Sequence, residues 1–282
     1  MSFYLNNYLL TLKPFIINFN FTIMKKNLFK ISTLLLFGFL FTFSACKKDD
    51  ADNQSAEDAA RGSYIMADAF AMSNDGNDGG KALKTRFADC TFEYTSLDDG
   101  FELTFFNCTD DAGITRNGTI RVTAAADAFD TEGAGSITIT FIDYTVENEG
   151  VSGSITATFK SGVLGFYFDI TAKNLRLDYA DNTHVLYNTA SLTYVFSAVN
   201  GFQLEITGNS DGINRNGVHF TTQTENMKIV FFATSGCPFP SEGTMTINLD
   251  GEKPITLDFN SGTCGEITVS QKGHKDGTIT IF

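Results

Sequence analysis

Three histidines, a few acidic pairs and five cysteines are the residues of this 282-residue chain whose types could do chemistry. Acyl transfer needs a nucleophile, a base and an orienting acid brought together. His184 follows Asp181-Asn182-Thr183, His219 lies in Val218-His219-Phe220, and His274 sits in a Gly/Lys turn. None adjoins a serine or cysteine elbow, and GxSxG is absent, so all three read as ordinary strand or surface histidines. Asp98-Asp99 and Asp110-Asp111 offer the paired carboxylates that glycoside hydrolysis requires. Sugar sites also want aromatic platforms, often tryptophan; there is none here, and the 28 phenylalanines fall mostly on the buried parity of their segments. The pairs therefore read as solvated turn acids. Residues 74–79 and 178–181 are rich in oxygen ligands, but they lack the alternating spacing and closing glutamate of an EF-hand. Arg116 and Arg215 each precede an Asn-Gly pair. They are either matched ligand contacts or hairpin arginines paired with neighbouring loop acids, and the second reading is adopted. The expectation is a non-enzyme with no catalytic residue, no metal and no cofactor.

The elements around these residues are mostly strands. From about residue 86 the apolar period is two: Phe101, Leu103 and Phe105 alternate with Glu102 and Thr104, and Ile137, Ile139 and Phe141 with Thr138 and Thr140. The pattern continues through Ile155-Phe159, Phe166-Ile170, Leu175-Tyr179, Phe202-Ile206, Met245-Leu249, Ile255-Phe259 and Ile279-Ile281. Strict alternation means half-buried strands. Buried parallel sheets read instead as continuous apolar runs between helices. The fold class is all-β: a large antiparallel meander of roughly thirteen to fifteen strands at the usual spacing, forming a sandwich or a curled sheet. Asp99-Gly100, Asn117-Gly118, Asn200-Gly201, Asn216-Gly217, Asp250-Gly251 and Asp276-Gly277 read as hairpin dipeptides. Residues 47–54 read as a polar tether. Residues 55–80 read as a short helix, N-capped at Ser55, weakened by Gly62, ending near Ser73 and followed by a glycine-rich loop. Residues 81–282 form the β domain. Within it Gly113-Ile114-Thr115-Arg116-Asn117-Gly118 recurs as Gly212-Ile213-Asn214-Arg215-Asn216-Gly217, which suggests two pseudo-repeated modules.

Charge and cysteines locate the chain. The net charge is −13, and the first 46 residues hold four lysines and no acid, so residues 47–282 carry −17. Nucleic-acid affinity rests on Lys and Arg contacts to phosphate, and so nucleic-acid partners are excluded. Met24-Lys25-Lys26, the thirteen-residue apolar run 31–43 and Ser44-Ala45-Cys46 have the layout of a secretory signal. The run is too short for a membrane-spanning helix, which needs about 20 apolar residues. Phe43-Ser44-Ala45-Cys46 resembles the lipobox of bacterial lipoproteins, with Phe43 where leucine is usual; the resemblance implies lipidation of Cys46. Residues 1–46 are then a signal peptide, with 1–23 upstream of the true start at Met24. Lys47-Lys48-Asp49-Asp50 resembles the acidic tag of surface-exported lipoproteins of Bacteroidetes-type bacteria. These features predict an outer-membrane location, held through the lipid anchor and favouring the cell surface.

Four cysteines remain: Cys90, Cys108, Cys237 and Cys264. In an exported chain an even count implies disulfides, and four residues allow three pairings. Cys90–Cys108 and Cys237–Cys264 are expected, since each pair lies within one local strand cluster. A zinc site is not, because no CxxC occurs and no histidine lies beside a cysteine.

The cysteine strand and Asp-rich loop are followed by GxxRNG, GSITITF and DYTV (135–146), SGSITATF (152–159) and a late ITGxxxGxNRNG (206–217). GTMTINLDG, ITLDFNSGTCG and GTITIF close the chain. This order resembles an uncharacterised lipoprotein family common in Bacteroidetes-type bacteria, over about residues 85–282. The markers are turns and strand cysteines, and the resemblance carries no catalytic residue. Two partner classes remain: an envelope protein bound by a structural or adhesive surface, or a lipid or other apolar ligand carried in a curled β cavity.

Overall fold

The structure is a computed structural model that describes residue 50 and residues 52–77, 79–87, 90–110, 112–125, 135–162, 165–197, 202–231 and 237–282. The signal segment with Cys46, Lys47 to Asp49, Asp111 and the Asn200-Gly201 pair lie outside the described residues.

Among the described residues, two helices precede thirteen strands: α1 spans Asn53–Gly76 and α2 spans Lys81–Arg86. β1 (Phe92–Leu97), β2 (Gly100–Thr109), β3 (Thr115–Ala124), β4 (Ser136–Val146) and β5 (Glu149–Gly162) come first. β6 (Gly165–Asp178), β7 (His184–Ser197), β8 (Phe202–Ile213) and β9 (His219–Phe231) follow. β10 (Pro240–Leu249), β11 (Ile255–Asp258), β12 (Glu266–Gln271) and β13 (Gly277–Thr280) complete the series. The strands pair antiparallel in chain order as one sheet, and it is not closed into a barrel. The alternation sets this up: Leu103, Ile120, Ile139, Ile155, Ile170, Leu192, Leu204, Ile229, Ile247, Leu257, Ile267 and Ile279 are all buried on one face.

Among the described residues, no second sheet covers that face. α1 does. Its residues meet Arg116 of β3, Phe168 of β6, Tyr187 of β7, Phe239 before β10, and Phe282 after β13. Thirteen flat strands at about 4.8 Å spacing would be some 58 Å wide, against 10–12 Å for a helix. One helix touches β3, β7 and the chain's end only if the sheet curls around it. Of the sandwich and the curled sheet, the curled sheet is what forms.

α1 corrects the expectation of a short helix and loop. It runs 24 residues and 19 of them are buried. The apolar stripe looks irregular in sequence because every face is enclosed, and a helix buried all round has no polar side to mark. The tether is shorter than expected too: Asp52, not Ser55, is the N-cap, its carboxylate accepting from the Ser55 N–H at 3.0 Å and the Ser55 hydroxyl at 2.7 Å. Gly62 has a packing reason. A Cβ there would lie 2.1 Å from the Tyr187 hydroxyl, which donates to the Asp58 carbonyl at 2.8 Å.

A line of bulges provides the curl. Residues with positive φ interrupt nearly every long strand: Asn107 on β2, Gly118 on β3, Asp143 on β4, Gly153 on β5, Asn174 on β6, Gly208 on β8, Asn226 on β9 and Gly243 on β10. The ladders slip register at Asn117/Thr119, Thr140/Tyr144, Ser152/Ser154 and Ile206/Gly208. Each bulge bends its strand and adds twist. Glycine alternates with Asn or Asp across adjacent strands because the backbones touch: a Cβ on Gly118 would lie 2.1 Å from the Asp143 carbonyl oxygen, and one on Gly153 2.3 Å from that of Asn174.

This corrects Asn117-Gly118, which is a bulge inside β3 and not a hairpin turn. The repeated hexapeptides therefore occupy different places. What corresponds in space is Asp110 to Ile114 with Asn214 to Val218. In each, the leading side chain accepts from the N–H groups two and four residues on. Asn216-Gly217 and Asp250-Gly251 do lie in turns. Asp98-Asp99 forms the β1–β2 turn, with Gly100 opening β2, and Gly277 opens β13. An unforeseen turn, Glu147-Asn148 with φ of 52° and 67°, joins β4 to β5.

Cys90 and Cys108 pair with their Cα atoms 5.0 Å apart, and Cys237 and Cys264 at 5.5 Å. Both separations suit a disulfide, and both pairings are the local ones expected.

Candidate functional site

Three polar or hollow regions are candidates. The first is the ionic core around α1. Arg116 is fully buried, and it grips Asp68 of α1 through Nε at 3.1 Å and Nη2 at 2.9 Å to each carboxylate oxygen. Its Nη1 donates to Asp110 at 2.8 Å and to the Ile114 carbonyl at 3.1 Å. Burial alone would pull this guanidinium down; the facing carboxylates push it well above its ordinary value. Near the other end of α1, Arg215 meets Asp58 at 2.6 Å and Glu57 at 3.4 Å, and lies 4.0 Å from the centre of the Tyr179 ring. Asp58 also accepts from the Tyr179 hydroxyl at 3.2 Å. Burial pushes Asp58 up to about 6, against the lowering effect of Arg215. Arg61 pairs with Glu57 at 2.5 Å and with Glu149 of β5. Arg116 does pair with a loop acid, as expected. Arg215 instead reaches the helix, and both arginines are spent on holding α1.

The second region is His219 on the outer face, between Asp211 at 2.5 Å and Asp250 at 3.4 Å. Hydrogen bonds that the protonated ring donates to these carboxylates raise the imidazole's proton affinity. Asn188 and His219 hold Asp211 low. A base oriented by acids is half of a hydrolytic triad, but the Ser210 and Thr222 side chains turn to the opposite, buried face of the sheet, where their hydroxyls bond to each other at 2.7 Å. Among the described residues, no group of three or more His, Cys, Asp or Glu is placed to hold a metal.

The third region is a cavity of about 470 Å³ at the C-terminal end of α1. Phe70 floors it; Phe101, Val122, Ile137, Phe159 and Phe168 wall it from β2 to β6. Ser73, Asn74 and Asn77 close the helix side, and Tyr94 lies on β1. Among the described residues, no charged side chain lines it. Phe70 packs edge-on against Phe168 at 4.8 Å and Tyr194 at 5.4 Å. The dimensions suit a small apolar ligand.

The other sequence candidates are scattered. Asp99 faces Arg121 at 3.8 Å, Asp178 pairs with Arg176, and Asp181 caps its own loop through Thr183. His184 is exposed at the start of β7, and His274 lies near the Asp50 carbonyl at 3.2 Å. Sequence reasoning missed Asp58 and Asp68. Their signal was visible as two acids within an Ala-rich run that has little other charge. Among the described residues no helix is long and apolar enough to cross a membrane. Comparison with known protein families, curated proteins and solved structures finds no match.

Proposed function

We propose that this is an exported protein, anchored in the outer membrane by a lipid on Cys46, that works without catalysis as a structural or partner-binding module at the cell surface. One observation carries the reading: Arg116 and Arg215 of the sheet side are committed to gripping α1, and Arg61 of α1 to Glu149, so the interior serves as a rigid support for a polar outer face. The two cysteine pairs at disulfide distance add support, because such bonds persist in oxidising compartments. The test is metabolic labelling with an alkyne fatty acid, followed by protease treatment of intact cells. Label on the wild type, its loss in Cys46→Ser, and digestion of the surface chain are expected. An unlabelled chain that fractionates with the cytoplasm would sink the proposal.

A second reading, a carrier of a lipid or other apolar ligand, is favoured by the aromatic cavity at the end of α1. Native mass spectrometry of protein released from its own membrane tests it. The carrier reading expects a discrete extra mass that denaturation removes; equal masses, after the covalent lipid is counted, oppose it.

A further inference from the structure

Among the described residues, the cavity at the C-terminal end of α1 is a large volume that the fold leaves unfilled while lining it with rings. Its size sets the occupant. At roughly 30 Å³ per water-sized group, about 470 Å³ admits on the order of fifteen such groups. That takes one alkyl chain of about a dozen carbons, or one compact ring system. That volume is too small to enclose both chains of a phospholipid.

Its electrostatics set the headgroup. A carboxylate entering an apolar site needs a cation or several donors to replace its hydration. Among the described residues, the lining supplies no Lys, Arg or His. The wall on the helix side is the last turn of α1, where the macrodipole places partial negative charge. That turn carries no basic residue, and the Ser73 hydroxyl is committed to the Phe70 carbonyl at 2.7 Å. Asn74 and Asn77 remain at the helix side as uncharged polar groups. An anion is thus disfavoured three ways, while a hydroxyl or ester headgroup meets matching amides.

We propose that this cavity binds one uncharged single-chain amphiphile, such as a monoacylglycerol, and discriminates against the fatty acid of the same chain length. The inference rests on the carrier reading and adds its stoichiometry, site and headgroup.

The test uses the full chain with Cys46→Ser, so that no detergent competes for the cavity. N-phenyl-1-naphthylamine, an uncharged apolar fluorophore, is bound and then displaced by monolaurin or by laurate at pH 8. Methyl resonances of Val122 and Ile137 are followed in the same titrations. The expected result is displacement by one equivalent of monolaurin, at least fivefold weaker displacement by laurate, and shifts of both methyl groups. Less than fivefold discrimination overturns the headgroup inference and leaves the carrier reading standing. Displacement without shifts at Val122 and Ile137 puts the site elsewhere and overturns the assignment. Binding that emerges only after Phe129→Ala means the chain's own residues 126–134 fill the cavity, which overturns the proposal. Failure of both the fluorophore and monolaurin to bind removes the carrier reading together with the inference.

Discussion

Replacing Arg116 by methionine keeps most of the side chain's volume and removes its charge, which isolates what the guanidinium does. Five hydrogen bonds disappear: three to Asp68, one to Asp110 and one to the Ile114 carbonyl. Two carboxylates stay behind, with Asp68 2% and Asp110 6% exposed. Removing one partner of a buried pair costs about 3–5 kcal/mol, because the other charge is stranded. A domain's whole stability is about 5–15 kcal/mol. A loss of about 4 kcal/mol, with an m-value near 3 kcal/mol/M, lowers the urea midpoint by about 1.3 M. The companion variant is Arg116→Met with Asp68→Leu and Asp110→Asn. Asparagine keeps the oxygen that accepts from Ala112 and Ile114, so the loop retains its cap. Replacing a whole buried ionic cluster with apolar groups is often neutral, and the triple variant should return to within about 1.5 kcal/mol of the original. The reasoning is refuted if the single variant loses less than about 1 kcal/mol, or if the triple variant is as unstable as the single one.

Gly62→Ala should lower the melting temperature, although the same change in an open helix gains about 1 kcal/mol. The new methyl meets the Tyr187 ring and hydroxyl within 2.3 Å, and overpacking costs about 1–3 kcal/mol; a higher melting temperature would contradict the enclosed helix. Asp58 has its carboxyl raised to about 6 from 3.8 in the folded chain. The folded state therefore binds its proton more tightly than the unfolded state, and this group's contribution to stability improves as pH falls through 6 towards 4. Two units are worth up to about 3 kcal/mol, so Asp58→Asn should remove a stability gain of that order between pH 7 and pH 4; parallel urea curves for both proteins would refute it. Cys237→Ser with Cys264→Ser opens a loop with a sequence separation of 27. The chain-entropy account predicts a loss of about 3.5 kcal/mol, read from urea midpoints against the oxidised parent; an unchanged midpoint would show that the crosslink does not constrain the unfolded chain.

The meander was legible because alternation is a local signal. Leu103, Ile139, Ile247 and Leu257 each mark an inward position, and short turns dictate neighbour-to-neighbour pairing. The cysteine pairing followed from the same locality. The length of α1 was not legible. Amphipathic periodicity measures the contrast between two faces, and a helix enclosed by a sheet has no contrast. Gly62 looked like a breaker because the Tyr187 ring that needs the space lies 125 positions away. The bulge line was present as Asn, Asp or Gly inside strand patterns, at Asn107, Asp143, Asn174 and Asn226 among others. Gly118 was mistaken for a turn because Asn-Gly is a strong hairpin signal, and only the register of β3 against β4 separates the two uses. The cavity had no sequence signature, since Phe101 and Phe159 carry the same inward parity as the phenylalanines that fill the core.

Placing one buried and two half-buried arginines with their acids against one helix makes little sense as a source of stability, because desolvation cancels much of the attraction. It makes sense as positioning. Five of the nine residues between Asp58 and Asp68 are alanine, glycine or serine, so that stretch has few large side chains, Tyr64 among them, to set the helix in register. Asp58 and Asp68 are ten residues apart, about 15 Å along the axis and about 80° apart around it. They engage Arg215 beyond β8 and Arg116 on β3. A shift of one turn would strand both acids, and a rotation that served one would break the other. The clamps thus fix the helix in both its axial and its rotational position. That position decides whether Phe70 floors the terminal cavity and whether Asn74 and Asn77 reach its edge. A helix free to move by one turn, 5.4 Å, would reshape the cavity, so the charges in the core set the shape of a site whose described lining carries no charge.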